Sequence, residues 1–95
     1  MEAKILTRHP EGKRGVNISR AKYDVVRAAI LAGLRGKELT FAELSRIIQR
    51  KLQGKFDGSL MGHYTSVKLD LEARRELERV PGSRPQRLRL RKTTR

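Results

Sequence analysis

The apolar residues of this chain change their period near residue 76, and that change constrains the fold more than any other feature. Before it, apolar residues recur every three or four positions, which predicts amphipathic helices. After it, leucines alternate with arginines in QRLRLR, residues 86–91, which predicts a strand with its leucines inward. Pro81 and Gly82 suit the two central positions of a type II turn. Residues 77–80 and 86–91 are therefore predicted to pair as a hairpin.

Three helices are predicted from their capping residues. A side-chain oxygen just before an apolar stripe accepts a hydrogen bond from the free N–H groups of the first helical turn. The sequence offers such residues at Ser19, Thr40 and Ser59. Glu43 follows Thr40 by three positions, which is the capping-box pattern. Gly36 and Gly54 are expected to end the first two helices.

The apolar stripes predict which helix faces are buried. In the second helix the expected stripe is Leu44, Ile47, Ile48 and Leu52, and in the third it is Leu60, Tyr64, Val67 and Leu71. Two pairs in the third helix have the spacing of surface ion pairs, Lys68 with Glu72 and Asp70 with Arg74.

The predicted order is a short strand over residues 3–7, a loop, three helices and a hairpin. We interpret it as one domain, 1–95, with residues 1–18 as the N-terminal strand and loop and 92–95 as a frayed tail. The fold class is mainly α with a small β-hairpin. Three helices followed by a C-terminal wing is the layout of a winged helix-turn-helix domain, in which LTF at 39–41 is expected to add a minimal strand.

Several segments together resemble a family of small uncharacterised prokaryotic proteins, classed as a domain of unknown function. They are HPEGK at 9–13, GVNI at 15–18, KYD at 22–24, GKELTF at 36–41, VKLDLEAR at 67–74 and ERVPGS at 78–83. The resemblance covers nearly the whole chain and implies a winged-helix fold, but it implies no particular activity. Arg75 stands where winged-helix regulators often have a glycine that ends the third helix.

The charge indicates a polyanionic partner. Lys and Arg number 23 against 10 Asp and Glu, which gives a net charge of +13. More than half of this excess lies in residues 74–95, whereas residues 59–73 are slightly acidic. Such a field attracts nucleic acid. A membrane surface is the competing partner, but it would require a helix with basic and bulky apolar faces. No cysteine and no signal-peptide pattern are present, so we expect a cytoplasmic protein.

The sequence does not predict catalytic or metal chemistry. His9 and His63 are the only histidines and no cysteine accompanies them, so we expect neither a metal site nor a cofactor. The loop HPEGKRG, 9–15, lacks the P-loop pattern, and a surface loop is the more plausible interpretation. No Ser/His/Asp set has the signature of a nucleophile, and we expect that the protein is not an enzyme.

Duplex DNA is the partner that explains most of these features, and the corresponding role is that of a small regulator of transcription or an architectural protein. In a helix-turn-helix protein the N-terminal part of the second motif helix enters the major groove. The base-facing candidates there are Met61, His63, Thr65, Ser66 and Lys68. The phosphate-binding candidates are Lys37, Arg46, Arg50, Lys51, Arg84, Arg87, Arg89 and Arg91. No arginine precedes Arg74 in the third helix, so affinity is expected to come largely from the DNA backbone.

Two alternatives stay open. One is an RNA- or ribosome-associated basic protein, although only four aromatic residues are present and they offer no stacking platform for single strands. The other is a winged-helix module that binds another protein and uses its charge for solubility. The sequence does not determine the oligomeric state: a monomer, or a dimer through the N-terminal strand, both fit.

Overall fold

The computed structural model describes residues 2–91, and these form three helices and two small antiparallel sheets. The helices are α1 (Arg20–Leu34), α2 (Phe41–Leu52) and α3 (Leu60–Ala73). The strands are β1 (Lys4–Leu6), β2 (Asn17–Ser19), β3 (Leu39–Thr40), β4 (Leu77–Arg79) and β5 (Arg87–Leu90). This is a mixed α/β domain, and the three predicted helices are confirmed. The predicted frayed tail, 92–95, lies outside the described residues.

The second sheet has three strands in the order β3-β5-β4. Leu39 pairs with Leu88, and Leu77 pairs with Leu90. The predicted hairpin is therefore confirmed, and so is the minimal strand at LTF. The predicted turn is also present: Gly82 has φ +74°, and the Ser83 N–H donates to the Val80 carbonyl at 3.3 Å. Because β5 lies between the two other strands, it joins the hairpin to the segment that precedes α2.

The N-terminal segment contains one strand more than predicted. Residues 1–18 were expected to form a strand and a loop, yet β2 pairs antiparallel with β1, with Ile5 opposite Ile18. Beyond the strands, the Thr7 N–H donates to the Val16 carbonyl at 2.8 Å, and the Val16 N–H donates to the Thr7 hydroxyl at 2.9 Å. A segment of three residues is too short for its sequence to distinguish β2 from a loop.

All three predicted helix caps are confirmed. Ser19 Oγ accepts from the Lys22 N–H at 3.3 Å, and Ser59 Oγ accepts from the Gly62 N–H at 3.1 Å. The capping box of α2 is complete: Glu43 N–H donates to Thr40 Oγ1 at 3.1 Å, and Thr40 N–H donates to Glu43 Oε1 at 2.8 Å. Each cap satisfies backbone donors that would otherwise lack a partner, and such a cap stabilises a helix by about 1 kcal/mol.

The end of α3 uses a residue in the left-handed conformation. Arg75 has φ +63°, a region that favours glycine. The Glu76 N–H donates to the Leu71 carbonyl at 2.9 Å, and the Arg75 N–H donates to the Glu72 carbonyl at 3.1 Å. These two bonds form a Schellman motif, in which glycine is the usual residue at the position of Arg75. An arginine therefore ends α3 in a backbone conformation that glycine usually occupies.

The apolar core joins the three helices to the larger sheet. Its buried residues include Ile30 of α1, Ile48 of α2, Leu71 of α3, and Leu77 and Leu88 of the hairpin. Burying one such side chain contributes roughly 1.5–3 kcal/mol. Two residues of the predicted stripes, Ile47 and Leu60, are only half-buried, because they lie at the edge of the helix contacts. A Cβ added at Gly33 would lie 3.0 Å from Leu44 Cδ1, so Gly33 lets α1 and α2 pack closely.

One prediction about α3 is wrong: its two ion pairs exist, but they are not on the surface. The Asp70 side chain is fully buried and accepts from Arg74 Nε at 2.8 Å, from the Arg8 N–H at 2.8 Å and from the Tyr23 hydroxyl. The Glu72 side chain is 6% exposed and pairs with Lys68 at 2.8 Å. The N-terminal loop covers Asp70 and strand β4 approaches Glu72, and no local pattern in α3 reports either contact.

Candidate nucleic-acid interface

The N-terminal half of α3 is an exposed and uncharged surface, which we call the α3 face: Met61, Gly62, Thr65 and the half-buried Ser66. Met61 is 39% exposed, and its sulphur accepts from Gln49 Nε2 of α2 at 3.3 Å. Thr65 is exposed, and its hydroxyl donates to the Met61 carbonyl at 2.9 Å. Since the thioether rests against α2 and the hydroxyl is bonded to its own helix, both side chains are held in place.

Two of the predicted base-facing residues are less accessible than expected. His63 is half-buried, with Nδ1 2.7 Å from the Ser59 carbonyl and its ring edge-on to Phe56 at 5.0 Å between centroids. Lys68 has a side chain that is 12% exposed, and its ammonium lies 5.7 Å from the centre of the Phe41 ring. The structure therefore leaves Met61 and Thr65 exposed and Ser66 half-buried, whereas His63 packs on Phe56 and Lys68 is largely covered.

The Glu72 carboxylate connects α3 to the hairpin. Its Oε1 accepts from Lys68 Nζ at 2.8 Å and from Arg79 Nε at 3.4 Å. Its Oε2 is buried and has no hydrogen-bond partner among residues 2–91. One carboxylate thus holds a cation of the helix and a cation of β4, and it removes both from the set of free charges.

Free positive charge lies on α2 and at the start of β5. We call this group the basic surface: Arg46, Arg50, Lys51 and Arg87. All four side chains are exposed, and none has an ion-pair partner within residues 2–91. Arg50 and Lys51 occupy the last turn of α2, where the helix dipole favours cations. These four residues were all predicted as phosphate-binding candidates.

Glu43 shows that the α2 and β5 parts of the basic surface are close together. Arg87 pairs in the sheet with Thr40, the residue that caps α2. The pKa of Glu43 is lowered first by the Thr40 backbone and side-chain hydrogen bonds, and further by the nearby positive charges of Arg87 and Arg46. Cations from two different elements therefore flank the same helix start.

The remaining phosphate-binding candidates are elsewhere. Lys37, Arg89 and Arg91 line a cleft of about 670 Å3 between the end of α1 and the sheet. Arg89 lies between two acids there, 2.6 Å from Glu78 and 3.6 Å from Glu38, and the hydrogen bond to Glu78 is the main cause of its raised pKa. Glu38 and Glu78 therefore offset part of the positive charge of Lys37, Arg89 and Arg91.

Arg84 lies in the connection between β4 and β5, where it is exposed. It has no ion-pair partner in the described part of the chain. Arg84 therefore remains a free cation on the hairpin, apart from the acids that hold Arg89.

The structure adds Phe41 and Gln49, which the sequence did not indicate. Phe41 is 37% exposed and stacks on Tyr64 with 4.6 Å between ring centroids. Gln49 uses its amide N–H groups on Ser45 and Met61. Both residues adjoin the α3 face through contacts between helices. A sequence pattern within one helix carries no signal for such contacts.

Neither a cluster of metal ligands nor a membrane-spanning helix is found within the described residues. Within residues 2–91, no group of three or more His, Cys, Asp or Glu residues is placed to hold a metal ion. None of the helices over the same range is both long and apolar enough to cross a bilayer.

Together these features define a small mixed α/β domain with an uncharged helix face beside a basic surface. Residues 4–88 match a family of unknown function, DUF6958, and the chain belongs to that family. Comparison with curated proteins and with solved structures gave no match.

Proposed function

We propose that this chain is a winged-helix domain that binds duplex DNA, as a small transcriptional regulator or an architectural protein of the cytoplasm. The element order supports the fold: α1, β3, α2, α3 and then the β4–β5 hairpin, with β3 paired to β5. In such a domain α3 enters the major groove and the hairpin is the wing that follows the backbone. The α3 face is the exposed N-terminal part that this geometry requires.

One observation carries the proposal: the α3 face contacts α2, the helix that carries the unpaired cations Arg46 and Arg50. Met61 contacts Gln49 of α2, and Arg46 and Arg50 lie three positions before and one position after Gln49 in that helix. Phosphate contacts fix the position of a protein on the duplex, so exposed cations beside an inserted helix would hold it in the groove. Arg87 and Arg84 add exposed cations from the β4–β5 hairpin.

The expected binding is electrostatic and sensitive to salt. Each phosphate neutralised by a cation contributes about 0.9 to the slope of log affinity against log salt, so the basic surface predicts a slope of about −3 to −4. Fluorescence anisotropy with duplex DNA, duplex RNA and single-stranded DNA at two salt concentrations measures this slope. Tightest binding to duplex DNA is the expected result. The absence of salt-sensitive binding to any duplex would reject both the DNA and the RNA proposals.

A double substitution tests the basic surface directly. Arg46→Ala with Arg87→Ala should weaken binding on all sequences and reduce the magnitude of the slope by about 1.8, because two phosphate contacts are lost. Lys4→Ala with Arg14→Ala is the matched control, since it removes the same charge from exposed residues of the N-terminal segment. Equal effects of the two double variants would mean that only net charge matters.

A protein-interaction module is the second candidate, and the exposure of two apolar residues favours it. Met61 of α3 is 39% exposed and contacts Gln49 of α2. Phe41 of α2 is 37% exposed and stacks on Tyr64 of α3. Exposed apolar residues that adjoin one another mark protein-binding surfaces in soluble domains. In this case Met61→Ala would leave the affinity for every nucleic acid unchanged, whereas it weakens duplex binding if α3 enters the groove.

A further inference from the structure

The α3 face has no group that can recognise guanine in the usual way. The commonest specific contact in the major groove is an arginine or lysine bonded to guanine O6 and N7. In α3 the only lysine, Lys68, is paired with Glu72 and 12% exposed. The first arginine after it, Arg74, is held by the buried Asp70. An inserted α3 therefore meets the bases without a free cation.

What the α3 face does present is the Met61 side chain, the Thr65 methyl group, Gly62 and the half-buried Ser66. The Met61 side chain is anchored by its sulphur, which accepts from Gln49 and from Ser45, at 3.3 and 3.5 Å. The Thr65 hydroxyl donates its proton to the Met61 carbonyl, so it is not available as a donor to a base. Gly62 has no side chain, is exposed, and leaves room for close approach of a base edge.

We infer that the domain selects thymine-rich duplexes through the C5 methyl groups of thymine, which project into the major groove. The inference rests on the proposed function, since it requires α3 to lie in the groove. Thymine is the one natural DNA base that presents an apolar group there. Met61 and Thr65, one helical turn apart, are positioned to contact the methyls of nearby thymines. Burying one methyl group strengthens binding by about fourfold.

Replacement of thymine by uracil isolates this interaction. Deoxyuridine pairs with adenine as thymidine does, and it differs from thymidine only in lacking the C5 methyl group. An A·T-rich duplex, its deoxyuridine counterpart, a G·C-rich duplex and its 5-methylcytosine counterpart, all of equal length, are compared by anisotropy at one salt concentration. We expect the deoxyuridine duplex to bind about four- to tenfold more weakly than the thymidine duplex. The methylated G·C duplex should bind more tightly than the unmethylated one.

Variants attribute the difference to α3. Thr65→Ser removes one methyl group and keeps the hydroxyl bond to the helix, and Met61→Ala removes the thioether. Both should reduce the thymidine-to-deoxyuridine affinity ratio, whereas Met61→Leu should keep it; thermal unfolding verifies that each variant folds. Duplex binding with equal affinity for thymidine and deoxyuridine overturns this inference and leaves DNA binding intact. Binding to none of the four duplexes overturns the proposed function itself.

Discussion

The fully buried carboxylate of Asp70 accepts hydrogen bonds from three different segments of the chain. The donors are the Arg8 N–H from the N-terminal loop, the Tyr23 hydroxyl from α1 and the Arg74 guanidinium at the end of α3. A buried carboxylate costs free energy unless donors satisfy it, so all three must remain in place. Asp70 therefore fixes the N-terminal loop onto the helices, and it has no direct part in the α3 face.

The Asp70 site predicts a loss of stability at alkaline pH. Burial, and next the hydrogen bond to Asp70, raise the pKa of Tyr23 to about 12, from 10.0 in model compounds. A raised pKa means that the folded state holds the proton more tightly than the unfolded state. The resulting stability is complete below pH 10 and is lost as the pH rises to about 12. The free energy of unfolding should fall by roughly 2–3 kcal/mol over this interval, measured by urea denaturation.

Tyr23→Phe is the control for this prediction. It should unfold more easily at neutral pH, because Asp70 loses a donor, and its stability should fall less over the alkaline interval. Tyr64 contributes to the remaining fall, since burial raises its pKa too. An identical alkaline fall in the variant would contradict the assignment to Tyr23.

Arg75 is the other residue whose backbone predicts a measurable effect. Its φ of +63° is costly for a residue with a Cβ, whereas glycine adopts it freely. Arg75→Gly should therefore raise the free energy of unfolding by about 1 kcal/mol, measured by chemical denaturation. Arg75→Ala removes the same guanidinium but keeps the Cβ, and it should give no such gain. Equal gains in both variants would attribute the effect to charge instead of backbone strain.

At the scale of elements, the contact between α3 and β4 controls how much positive charge is free. Glu72 holds Lys68 and Arg79 through one oxygen, and Lys68 belongs to α3, the helix that is proposed to enter the groove. The carboxylate therefore lowers the affinity for a polyanion in two ways: it neutralises two cations, and it repels phosphate. In this respect α3 and the β4–β5 hairpin act as one unit.

Glu72→Gln tests this role. Loss of the negative charge frees Lys68 and Arg79, so duplex DNA should bind several-fold more tightly, and the salt slope should become steeper by up to about 1.8. Anisotropy at two salt concentrations measures both quantities. Asp24→Asn makes the same change in net charge on α1, where Asp24 pairs with Arg20 at 3.5 Å, and it should have a much smaller effect. Unchanged or weaker binding by Glu72→Gln would contradict the proposed role.

The elements predicted from the sequence are those with local signals. The caps at Ser19, Thr40 and Ser59 form within one helical turn, and the alternation of leucine and arginine lies within one strand. Both could therefore be predicted from short stretches of the sequence. The positions of Asp70 and Glu72 depend on residues 8, 23 and 79, which are far away in the chain. The same holds for the candidate site: its exposed cations were predicted, but the burial of Lys68 and the pairing of Arg89 were not.

At the scale of the whole molecule, the cations divide into those that pair with an acidic side chain and those that do not. Glu38, Glu72, Glu76 and Glu78 all pair with arginines of α1, β4 or β5, or with Lys68. No acid follows Glu43 within α2, so Arg46, Arg50 and Lys51 stay unpaired among residues 2–91. These three cations therefore lie on the helix that contacts the α3 face through Gln49 and Met61.

The strand order β3-β5-β4 has a consequence for how the chain acquires its structure during synthesis. The middle strand, Arg87–Leu90, follows every other element along the chain. Until these residues emerge from the ribosome, β3 and β4 have no ladder partner, and Leu77 has no opposite residue. The helices, whose hydrogen bonds are local, can form earlier. A nascent chain that is stalled before Arg87 would thus hold its helices over an open apolar face, a species that chaperones bind.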